Sequence, residues 1–119
     1  MATRDDSSYT QDRIFKYTGV KILSGQTESE AIDCLGGVLV GIKTPSALTG
    51  TSFTVKVSDD GVSYVDYYNA LGAKVTITAG VDRRIGIEPV DFAGIQKIKL
   101  VSSSAEAAER ELTLFLRGM

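Results

Sequence analysis

The sequence predicts an all-β chain, an antiparallel sandwich or barrel of about eight to ten short strands. Three observations predict it. Apolar and polar residues alternate with a period of two in segment after segment, as where Phe53, Val55 and Val57 are set among Ser52, Thr54, Lys56 and Ser58. Gly, Pro, Asp and Ser turns interrupt these segments roughly every ten residues. No long helical pattern stands between the segments, which argues against βαβ units. Two packed sheets also account for the clean in-and-out alternation, because each sheet then has one face in the core.

Residues 1–12 (MATRDDSSYTQD) are polar and without period, and Tyr9 is their one apolar anchor. They are expected to form an extended N-terminal arm ahead of a β-sandwich domain at 13–119. An arm of that length reaches roughly 40 Å, and an ordered polar arm lies on its own domain or on a neighbouring subunit. Ile14-Phe15-Lys16-Tyr17 and Val20-Lys21-Ile22 read as two short β pieces broken by Gly19. A turn at 24–27 and the piece Ala31-Ile32-Asp33-Cys34 follow. Val38, Val40 and Ile42 then alternate with Leu39, Gly41 and Lys43 until Pro45, which cannot donate to a ladder, ends the strand.

Residues 52–68 carry the strongest local signal. Two alternating arms flank Asp59-Asp60-Gly61, and Asp-Gly between such arms predicts a hairpin. A lone hairpin is only marginally stable, so the rest of the chain has to cover its Phe53/Val55/Val57 face. After a turn at 69–72, Val75 and Ile77 share one face of a strand, and Ile85 and Ile87 share one face of the next. Residues 89–94 (PVDFAG) predict a single helical or 3₁₀ turn with Phe92 as a plug at the sheet edge. A strand at 96–101 follows. Residues 102–110 (SSSAEAAER) read as a loop with room for one helical turn, and Leu112, Leu114 and Leu116 point inward from the closing strand.

At 119 residues the chain is long enough to bury a real core as one domain. A net charge of −2 gives no basic footprint for nucleic acid, and no apolar run is long enough to cross a bilayer. The start of the chain lacks the apolar core of a signal peptide. Cys34 is the only cysteine, so no intrachain disulfide can form. There is no histidine. That removes Ser-His-Asp and Cys-His nucleophile systems and most zinc sites, so no enzyme is expected and no catalytic, cofactor or metal residue is assigned.

Candidate sites are therefore surfaces. Asp59-Asp60-Gly61 has two carboxylates but lacks the calcium-loop pattern, and it reads as a turn. Gly36-Gly37 lacks the spacing of a phosphate loop, and Cys34 reads as a small buried hydrophobe. Alternation puts Tyr64 and Tyr68 together on one face, at the core or its rim. Tyr67 falls on the other face, where it is the better contact candidate. Arg83 and Arg84, with Lys97 and Lys99, place positive charge on strand exteriors, as solvated faces or as interfacial partners for acids. Phe115 points opposite to the three leucines around it, a hint of a subunit interface. Together with Arg4, Asp5, Asp6, Tyr9 and Arg13 of the arm region, Tyr67, Arg83, Arg84 and Phe115 make up the expected contact set.

The stretches LVGIKTPSALTGTSFTVKVSDDGVSYVDYYN (39–69), IEPVDFAGIQKIKL (87–100) and AAERELTLFLRG (107–118) resemble small virion structural proteins of tailed bacteriophages. Within the first, VSDDGVSY is similar to a strand-turn-strand of discoidin-type jelly rolls. The resemblance covers about two-thirds of the chain, and its motifs are structural rather than catalytic. It implies a jelly-roll-like β-sandwich used as an assembly part. The implied role is a capsid decoration or cement protein that binds the major capsid protein as a homo-oligomer, a trimer in particular, on the virion surface. The alternative is a carbohydrate-binding module associated with a tail or fibre. Discoidin-type sugar binders rely on aromatic, His and Arg loop residues, and this chain has neither His nor Trp.

Overall fold

The computed structural model describes residues 3–5 and 14–118. The described residues form ten strands: β1 (Thr3–Asp5), β2 (Ile14–Ile22), β3 (Ile32–Asp33), β4 (Val38–Lys43), β5 (Ser52–Ser58), β6 (Val65–Asp66), β7 (Thr76–Thr78), β8 (Arg84–Gly86), β9 (Lys97–Ser102) and β10 (Arg110–Arg117). A 3₁₀ turn at Pro89–Phe92 is the one helical element among the described residues.

Every pairing among the described residues is antiparallel, and one set of them is nested. β2 pairs with β10, β3 with β9, β4 with β8, and β5 with β6 and β7. The chain is thus one long ribbon folded at its middle, with 52–68 at the fold. Winding that ribbon sends alternate strands to opposite layers. One sheet has the order β1-β2-β10-β4-β8 and the other β3-β9-β5-β6, with β7 also on β5. This is an eight-stranded jelly roll, with β6 and β7 sharing one strand position and β1 added at an edge. The expected all-β two-sheet sandwich is what the chain forms.

The core lies between the sheets. Val20, Ile22, Ile42, Val55, Ile98, Leu100 and Leu116 are fully shielded, and Phe53, Leu112 and Leu114 nearly so. Phe92 is buried as the expected plug under its 3₁₀ turn. Cys34 is buried too, and burial, followed by the neighbouring Asp33 charge, pushes its thiol up to about 11.

Local geometry differs from the alternation in four places. β2 is one strand rather than two pieces. Its ladder with β10 skips between Leu112 and Leu114, and Gly19 sits at that bulge with φ of 66°, where a glycine avoids a Cβ clash. A second shift between Phe115 and Leu116 leaves Val40 without a pair, so Leu39 rather than Val40 is buried beside Ile42. The Asp-Gly turn is a wider loop than a two-residue hairpin, since pairing resumes only at Val57↔Val65. Inside it, Ser58 Oγ accepts the Gly61 N–H, Asp60 Oδ1 accepts those of Val62 and Ser63, and Val62 is exposed. Finally, 103–109 forms no helical turn.

Candidate interaction surface

The partner of β5 is interrupted. Lys56↔Asp66 pairs with β6, whereas Thr54↔Thr76 already belongs to β7. Residues 68–75 are therefore extruded from the sheet edge between two halves of one strand position. The Val75 N–H to Tyr67 carbonyl bond (3.1 Å) and the Tyr68↔Lys74 bridge close the base of this small hairpin. At its tip, Asn69 Oδ1 accepts the N–H groups of Leu71 and Ala73, and the Asn69 carbonyl accepts that of Gly72. These bonds hold Leu71 out in water at 92% exposure.

Below the hairpin, Tyr67 turns inward, contrary to its expected outward place. Its ring packs on the core and lies 6.0 Å from that of Phe92, and its hydroxyl donates to the Asp91 carbonyl. Burial, then the Asp91 charge, raises its pKa. Tyr68 is exposed, and Tyr64 lies under the Lys99 ammonium at 4.5 Å. The two faces are exchanged because inward packing under the 3₁₀ turn, not strand alternation, sets these rings.

Two hollows flank that 3₁₀ turn. One, of about 390 Å³, is apolar and lined by Val38, Val40, Pro89, Val90, Ala93 and Arg117. The other, about 370 Å³, is lined by Asp33, Gly36, Gly37, Gly94, Ile95, Gln96 and Lys97. In the second, Asp33 accepts the Leu35 N–H and pairs with Lys97 at 3.2 Å, and both bonds lower its pKa, the Leu35 one more.

The outer face of the β3-β9-β5-β6 sheet is laced with charge. Glu28 sits between Lys56 (2.9 Å) and Lys99 (3.6 Å), and its pKa is lowered chiefly by the Lys56 hydrogen bond. Such half-exposed pairs stabilise little, about 0–1 kcal/mol each. No group of three or more metal-ligating side chains occurs among the described residues, and no helix there is long and apolar enough to cross a membrane. The Asp60 carboxylate is occupied by the N–H groups of its own loop, chiefly that of Ser63, which lower its pKa.

The expected contact residues do not form one cluster. Arg4 and Asp5 lie in β1, opposite Tyr17 and Lys16 of the chain's own β2. Asp6, Tyr9 and Arg13 lie outside the described residues. The Arg83 N–H donates to Thr44 Oγ1, and its side chain lies against Gly80. Among the contact residues whose side chains are described, only Arg84 and Phe115 are brought together. Phe115 does leave the core side of β10, but it is not exposed: the Arg84 guanidinium covers its ring at 3.7 Å, leaving it buried. That cover needs Gly41, since a Cβ there would stand 1.8 Å from Arg84 Nη1. What sequence reasoning missed is the projecting Leu71 and the apolar hollow. The Asn-Ala-Leu-Gly turn was a legible signal for the first, and the second arises only when the 3₁₀ turn packs beside β4.

No family model matches the chain, and no curated protein matches it in sequence. Among solved structures it is similar to the SPBc2 prophage-derived protein YomS, with a TM-score of 0.57 at 10% identity, over 98% of this chain and 96% of that one. The two therefore share a fold from end to end.

Proposed function

We propose that the chain is a structural component of a bacteriophage particle, a capsid decoration or cement protein that binds the head shell as an oligomer. The observation that carries this reading is the end-to-end likeness to a prophage-derived protein. The resemblance of 39–69, 87–100 and 107–118 to tailed-phage virion proteins adds to it, and so does the fold, which exposes apolar groups at its loops and strand edge. The mechanism is clamping: copies sit where shell subunits meet, and repeated weak contacts add through multivalency. The chain's partners are the major capsid protein and further copies of itself.

The glycine-lined hollow favours a second reading, a carbohydrate-binding module of a tail or fibre, because Asp33, Gln96 and Lys97 offer donors and acceptors at its wall. Co-sedimentation with purified, undecorated heads separates the two. Saturable binding at a fixed ratio to shell subunits supports decoration, whereas no binding together with reproducible glycan-array signal favours the second reading.

A further inference from the structure

We infer that copies of this chain associate by inserting the Leu71 turn of one into the apolar hollow beside the 3₁₀ turn of the next. This deepens the assembly reading by naming the contact surface, and it rests on that reading only for its biological purpose. The turn is a rigid apolar projection: Leu71 is 92% exposed while its backbone is tied at both sides to Asn69. The hollow is its counterpart, walled by Val38, Val40, Pro89 and Ala93 and rimmed by Val90 and Arg117. At about 390 Å³ it has room for a leucine side chain and the turn that carries it. The two are separate surfaces of one molecule, because no residue of 65–75 lines the hollow.

Charge argues for a second copy as the occupant. The hairpin base carries Asp66 and Lys74, paired with each other at 3.3 Å on the surface. Arg117 lines the hollow and Glu88 directly precedes its Pro89 in the chain; both are exposed, and neither has an ion-pair partner among the described residues. Docking brings one acid and one base to each side, so Asp66 can meet Arg117 and Lys74 can meet Glu88. The tethered hairpin also loses little freedom on docking, since its base is already fixed through Tyr67 to Asp91. A contact between two different patches is heterologous, and copies related by a closing rotation form a ring.

The test is sedimentation velocity on the full chain across a concentration series, with Leu71→Asp and Val90→Asp. Both positions are exposed, so both variants should unfold like the parent. The parent is expected to form concentration-dependent oligomers, and each variant alone to weaken association by at least ~tenfold, the scale of losing one buried apolar anchor. Mixed together, the variants should form a one-to-one pair that grows no further, because the mixture holds one intact turn and one intact hollow. A monomeric parent at every concentration overturns the inference, as does assembly that survives either substitution, or a mixture that does not pair. Loss of shell binding with oligomers intact would instead refute the decoration reading and leave this contact standing.

Discussion

Arg110 Nε donates to Glu106 Oε1 at 3.0 Å, four residues apart in a stretch that forms no helix, with Glu106 only 1% exposed. The same carboxylate accepts the N–H groups of Thr49 and Gly50 and the Ser102 hydroxyl. One buried acid thereby ties the β9–β10 loop to the β4–β5 loop at one end of the sandwich. Burial pushes its pKa up, but the Thr49, Ser102, Gly50 and Arg110 hydrogen bonds outweigh that and hold it at about 2.

Acid sensitivity follows. The folded pKa lies below the unfolded one, so the stabilisation is present above about pH 4.5 and is lost as pH falls towards 2. Glu106→Gln should destabilise the fold at neutral pH by on the order of 2–3 kcal/mol and flatten its loss of stability below about pH 4.5. Urea unfolding at neutral pH and near pH 3 checks this; equal midpoints for parent and variant at neutral pH would contradict it.

Two glycines should separate in their response to alanine. At Gly41 the added Cβ meets the end of Arg84, which can swing away, so the cost is the Phe115 cover, about 0.5–1 kcal/mol. At Gly50 it meets Ser102 Oγ at 2.0 Å and crowds the Ser103 backbone and Glu106, so the loss should be about 1–3 kcal/mol. Thermal unfolding of both variants ranks them, and the reverse order would be wrong for this packing.

Much of the architecture was legible because strand alternation and turn spacing report directly on a two-layer β fold. The inward set Leu112, Leu114 and Leu116, the shared face of Val75 and Ile77, and the Phe92 plug all sit where period and turn chemistry place them. Misplacements cluster where an extra residue enters a strand. Period two cannot register the bulges near Gly19 and Val40, nor the extruded 68–75 segment that decouples Tyr67 from its neighbours. The cover on Phe115 was hidden for another reason: it depends on a side chain two strands away in the same sheet.

Tyr67→Phe should loosen the 3₁₀ turn without emptying the core. It deletes the hydroxyl bond to the Asp91 carbonyl but keeps the ring against Phe92, for a loss of about 1 kcal/mol. Hydrogen exchange should quicken at 89–94 and stay unchanged along β10. Uniform quickening would mean that the turn is not a local unit.

Cys34 should be inert in the native state. It is 2% exposed and its thiol is pushed up to about 11, so a thiol reagent at neutral pH should react only as fast as the chain opens, and promptly in denaturant. Rapid native labelling would show that the β3–β4 corner is open.

The proposed role makes this jelly roll an assembly part of a phage particle, and electron cryomicroscopy of intact virions purified from a host that expresses the chain tests it most directly. The expected result is density that fits this sandwich, repeated at fixed positions on the head shell, with apolar loop or edge residues such as Leu71 facing neighbouring copies. Virions whose shell and tail are fully accounted for by other chains, with this one absent from the purified particle, would contradict it.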